Sequence, residues 1–166
     1  MKKLALIVLL CFTLSGCKIA LNGASIPPEM KTVSVLVFEN NAPLVVPYLS
    51  SQFTEELKTR IRNQTRLSIT QNDADGVFTG NITGYSVNPV ALQDNNRPTA
   101  GANRLSIRVN VKYTNNLNPK LSFEESFERF KDFTLQGSLQ SMEQGLIKDV
   151  TAQLTEDIFN RAFANW

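Results

Sequence analysis

Histidine is absent from the 166 residues, and cysteine occurs only twice, at positions 11 and 17. Without an imidazole there is no histidine acid/base pair, no Ser-His-Asp or Cys-His nucleophile, and little to build a zinc site from. Charge of one sign is also scarce. The 17 Lys+Arg stand against 15 Asp+Glu, and the resulting +2 excludes the basic stripe of a nucleic-acid binder. No glycine-rich phosphate loop is present: Gly80 and Gly84 fall inside an alternating segment, where glycine marks close packing or a bulge. The paired carboxylates Glu55/Glu56, Asp73/Asp75 and Glu124/Glu125 sit on polar faces or in turns and read as solvated charge. Asp73-Ala74-Asp75-Gly76 lacks the further oxygen ligands of a calcium loop. The expectation is a protein with no catalytic residues, no metal, no cofactor and no nucleic-acid partner.

The one long apolar run is at the start. Lys2 and Lys3 precede Leu4–Leu14, eleven residues apolar except for Thr13. That is roughly half the length of a membrane-spanning helix, which needs about 20 residues, so it reads as an export leader. Leu14-Ser15-Gly16-Cys17 resembles a bacterial lipobox, with a small residue before the cut and a thiol at the cut to carry lipid. Residues 1–16 are then a removed signal peptide, and Cys17 becomes the lipidated N-terminus, its covalent lipid being the only non-protein group expected. Lys18 is not the aspartate that retains lipoproteins in the inner membrane, and no acidic cluster follows. The expected location is the periplasmic face of the outer membrane, held by the lipid anchor. Cys11 leaves with the leader, so disulfide and thiol chemistry are excluded from the rest. Lys2 and Lys3 leave too, and 15 bases face 15 acids in the 150 residues that remain.

Residues 17–32 form a lipidated N-terminus and tether, and residues 33–166 one domain large enough to bury a core. Val33–Phe38 is rich in β-branched residues and reads as a buried strand, broken by Glu39–Pro43. Leu49, Phe53, Leu57 and Ile61 mark one face of a helix after Pro47. Arg66–Gln71 is a short strand, and Asn72–Gly76 a turn. Val77–Val87 alternates, and Leu105, Ile107, Val109, Val111 and Tyr113 alternate strictly with polar residues, which predicts one buried and one wet face. Leu121–Phe133 follows as a hairpin partner whose phenylalanines change phase between Phe127 and Phe130, predicting a bulge or an early end. Ser138 is a candidate N-cap for a helix carrying Leu139, Met142, Leu146, Val150, Leu154, Ile158 and Ala162 on one face. Together these predict an α+β two-layer sandwich, two helices packed on one face of a mixed, mostly antiparallel four- to five-stranded sheet.

If the first strand, helix and second strand form a right-handed crossover and every later strand reverses, a Val87–Asn103 loop and the Lys131–Gly137 connection return to one sheet edge, and Arg60, Arg62, Arg66, Arg97, Arg104 and Lys131 gather at that end of the sandwich. Such an end could grip the phosphates of an amphiphile. The plainer reading is helix-end arginines matched to the helix dipole, with scattered solvated bases.

Several ordered segments resemble the LptE family of lipopolysaccharide-assembly lipoproteins. They are the lipobox Cys17, Ser25–Pro28, Lys31–Val35, Phe38–Pro43, Phe53–Leu57, Thr79–Tyr85, the Leu105–Tyr113 strand and the ending Asp157–Trp166. The likeness is strongest to the Bacteroidetes-type branch. It implies a non-enzymatic protein that plugs and helps assemble the LptD β-barrel and binds lipopolysaccharide on its way to the outer leaflet. It also implies lipopolysaccharide contact through loop bases, for which Arg97 and Lys131 are the matching positions. Arg104, Arg60, Arg62 and Arg66 are the further candidates from the crossover reading. A pilotin-like lipoprotein supporting another outer-membrane channel would carry the same anchor and fold. A carrier with lipid inside its own fold would need a cavity that the large apolar residues of both helices argue against.

Overall fold

The computed structural model describes residues 26–94 and 97–164. The leader, the proposed lipidation site Cys17 and most of the tether lie outside these residues. Chain order is β1 (Thr32–Val35), β2 (Glu39–Asn40), α1 (Leu49–Gln64), β3 (Ser68–Ile69), β4 (Gly76–Asp94), β5 (Arg97–Asn115), a single 3₁₀ turn (Pro119–Leu121), β6 (Phe123–Thr134) and α2 (Leu139–Phe163). The sheet order is β3-β1-β4-β5-β6, with β2 also paired to β4. The β1, β2 and β3 pairings are parallel, and the long β4–β5 and β5–β6 pairings are antiparallel. Both helices cover one sheet face, so the α+β two-layer class holds, and β2 raises the strand number to six. No described helix is long and apolar enough to cross a membrane.

The core follows from the sequence periodicities. Leu49, Phe53, Leu57 and Ile61 of α1 are fully buried, as are Leu105, Ile107, Val109 and Val111 of β5. Helix α2 buries two faces: Leu146, Val150, Leu154 and Ile158 among the apolar core, and Thr151 and Thr155, both without exposed surface. Their hydroxyls bond to the carbonyls of Lys148 and Ala152 one turn back, which lets polar residues pack without an orphaned group. Ser138 occupies the N-cap position with an extended backbone, but its side chain makes no capping bond; its carbonyl accepts from Ser141 instead.

The predicted first strand is divided. Leu36 and Val37 turn outward, and both backbone groups of Phe38 go to the helix: its N–H donates to Thr54 Oγ1 at 3.1 Å and its carbonyl accepts from Ser50 Oγ at 2.6 Å. The chain then rejoins the sheet as β2, in the segment expected only to break it. Gly80 and Gly84 realise the two roles glycine has inside strands. A Cβ on Gly80 would collide with the Asn110 carbonyl and the Phe38 ring. Gly84 follows a register shift, a bulge between Ile82 and Gly84.

Two sequence expectations are corrected. First, β6 pairs with β5 in unbroken register from Phe123 to Thr134, so there is no bulge. Phe130 changes phase because it faces the opposite side from Phe123, Phe127 and Phe133, 46% exposed, with the Arg104 guanidinium 3.7 Å above its ring. Second, the segment expected to be a loop from Val87 to Asn103 is strand. β4 and β5 run 19 residues each, and their hairpin extends past the last β6 pair, Ala102↔Thr134.

Candidate functional site

Strand direction decides which cations meet. β3 has two residues, and after Ile69 the chain passes beneath the start of β1 and enters β4 parallel to it, on its other side. Asp75 makes that passage possible. Its Oδ2 accepts from the Lys31 and Thr32 amides at 2.8 and 2.9 Å and from Thr32 Oγ1 at 3.0 Å. These bonds hold its carboxyl below the usual carboxylate range. Because β4 leaves this end instead of returning to it, the hairpin tip points the other way.

The six cations therefore do not gather. Arg60, Arg62 and Arg66 lie toward the end where β1 and β4 begin, which we call the near end. Arg97, Arg104 and Lys131 lie toward the hairpin tip, the far end. The expectation of a single basic end failed because it took the strand after Asn72–Gly76 to be antiparallel to its predecessor, and the two acids of that turn share the near end with Arg66.

The side chains have distinct tasks. Arg60 is a strut between the helices, 14% exposed, donating to Thr155 Oγ1 at 3.2 Å and to the Ala152 carbonyl at 2.8 Å, with Glu156 at 3.9 Å. Arg62 and Arg66 are exposed at the end of α1 and before β3. At the far end Arg104 forms a two-pronged pair with Asp132, at 2.7 and 2.8 Å, which lowers the Asp132 pKa. Lys131, on the opposite face of β6, reaches Asp149 of α2 at 3.4 Å. Arg97 opens β5, opposite Asp94 in register.

Sequence reasoning did not anticipate how completely β6 is stitched. On the helix side Glu125 pairs with Arg161 and Arg129 with Asp157, and on the open side Arg108 pairs with Glu128. The density of charge in β6, six of its twelve residues and on both faces, was the available signal. Edge strands rich in such charges resist pairing with foreign strands.

The second sheet face is open. It presents Thr79, Asn81, Ser106, Arg108, Asn110, Lys112 and Thr114, with Phe130 an exposed aromatic beside Arg104. Between helices and sheet the described residues pack into one buried apolar cluster. The described grooves, of about 700, 860 and 460 Å³, open at the domain's ends and edges. Among the described residues no cluster could hold a metal ion.

A lipopolysaccharide-assembly family, LptE, matches residues 30–162, most of the chain. The chain belongs to the LptE family. No curated protein matches it in sequence. Solved structures share this fold at low identity. Lipoprotein B of Nitrosomonas europaea is 15% identical with a TM-score of 0.54, over 87% of this chain and 88% of that one. A minor lipoprotein of Acinetobacter baumannii is 12% identical with a TM-score of 0.51, over 80% and 91%. A hypothetical protein of Chlamydia trachomatis is 16% identical with a TM-score of 0.53, over 79% and 94%. LptE proteins are non-enzymatic accessory lipoproteins of lipopolysaccharide assembly, and membership places this chain among membrane-associated lipoproteins.

Proposed function

We propose that the protein is anchored through lipidated Cys17 at the periplasmic face of the outer membrane. There it plugs and helps assemble an LptD-like β-barrel and binds lipopolysaccharide on its way to the outer leaflet. The observation that carries this reading is the open sheet face. A broad array of Ser, Thr, Asn and paired charges suits the polar, water-lined interior of a large outer-membrane barrel, where a greasy face would not. The core supports the same reading over a carrier, because among the described residues large apolar side chains from both helices and the sheet occupy the interior that acyl chains would need. Arg97 and Lys131, on and near the projecting hairpin, are the positions we assign to glycolipid phosphates, with Arg104 beside them.

Gentle detergent extraction of outer membranes, followed by identification of what co-purifies, tests the proposal. A stoichiometric large β-barrel is expected. Recovery with a secretin, or with no barrel, overturns the plug.

A further inference from the structure

The near end carries a second surface, formed by the loop from Asn115 to Ser122. This loop is rigidly built. Asn115, 3% exposed, accepts the Leu117 and Asn118 amides on its Oδ1 at 3.1 and 2.8 Å, and its own amide donates to Ser122 Oγ at 2.9 Å. Asn118 Oδ1 accepts from the Lys120 amide at 3.2 Å, and Asn116 Nδ2 donates to the Ala74 carbonyl at 2.7 Å. A loop so fully satisfied has no need of apolar tips, yet it holds Leu117 49% and Leu121 41% exposed, with exposed Lys120 between them.

The tether leaves from this end. Ile26, the first described residue, lines the same groove as Leu121. The nine steps back to Cys17 span at most about 32 Å however they are arranged. Given the anchor, the Asn115–Ser122 loop is within reach of the leaflet that holds it. Two leucines on a pre-ordered loop enter a headgroup region without further loss of loop entropy, and a lysine between them meets lipid phosphate.

We propose that this end is a membrane-contacting foot: Leu117 and Leu121 enter the headgroup region of the phospholipid leaflet that carries the anchor, and Lys120 pairs with its phosphates. The foot fixes which way the domain stands, hairpin tip away from the anchoring leaflet. It rests on the reading of Cys17 as lipidated, and the test separates the two.

Once Cys17 is acylated the processed chain has no free thiol, so Leu117→Cys, Leu121→Cys and, at the far end, Leu135→Cys can each carry one environment-sensitive dye. Leu135 is a matched control at 46% exposure. The full lipidated protein is reconstituted in phosphatidylethanolamine–phosphatidylglycerol vesicles and floated on a density gradient. Flotation with blue-shifted emission at 117 and 121, quenched by doxyl-labelled phospholipid, and water-like emission at 135 is expected. Adding Leu117→Asp should abolish the shift at 121 while flotation and circular dichroism stay unchanged. Flotation with water-like emission at all three positions overturns the foot and leaves the anchor standing. Failure to float overturns the anchor, and the foot with it.

Discussion

Two residues hold local geometry that no neighbour could supply. Gly80 lies where the Phe38 ring and the Asn110 carbonyl close over the strand, so Gly80→Ala must push apart a ring and a backbone. Overpacking of that kind costs about 3 kcal/mol, and urea unfolding should show the midpoint falling accordingly. A substitution within error of the parent would mean the strand yields more easily than its packing indicates. Asp75 acts through its charge. Its folded pKa is depressed by the bonds from Lys31 and Thr32, so the stability it adds is full above the unfolded carboxylate value, about 3.9, and is lost as pH falls through the folded one. Asp75→Ala should therefore be less stable than the parent near neutrality, with the gap narrowing in acid. Urea midpoints measured across that range would decide it, and a gap independent of pH would assign the loss to packing instead of charge.

At the scale of elements, the division between β1 and β2 turns on a helix hydroxyl. Thr54 is 2% exposed, accepts the Phe38 amide and donates to the Ser50 carbonyl. Thr54→Val keeps the shape and orphans a buried N–H, a loss of about 2 kcal/mol, whereas Thr54→Ser should recover most of it. Equal stabilities for the valine and serine variants, by thermal or urea unfolding, would remove the hydroxyl from the account. Neither this junction nor the chain's path beneath β1 was legible from periodicity. Periodicity reveals which residues of an element face inward, and it located α1, α2, about half of β5 and most of β4 and β6 with their buried sides. It carries nothing about strand direction. The two-residue β3 and a side chain–backbone bond from Asp75 decide that direction, and both fall below any pattern signal. Phe130 is a milder case: its changed phase was visible, but an aromatic facing out under an arginine mimics a bulge.

For the whole molecule, the reversal of β4 converts one supposed basic end into two separate ones. Lys131 lies opposite Leu105, which lies opposite Val87, eleven residues along β4 from Gly76. At about 3.3 Å per residue that is roughly 36 Å, and the Arg97 end of the hairpin is farther still. A single glycolipid headgroup cannot span both ends, so the candidate cations form two separate groups. Arg97→Glu with Lys131→Glu should weaken lipopolysaccharide binding by about tenfold, ~1.4 kcal/mol. Arg62→Glu with Arg66→Glu should leave it near the parent value. Binding of purified lipopolysaccharide to the lipidated protein in detergent, followed by fluorescence anisotropy, reads both, with near-ultraviolet circular dichroism to confirm the packed aromatic cluster around Tyr113. The opposite ranking would move the glycolipid contact to the near end, beside the tether, and would leave the projecting hairpin to serve the barrel alone.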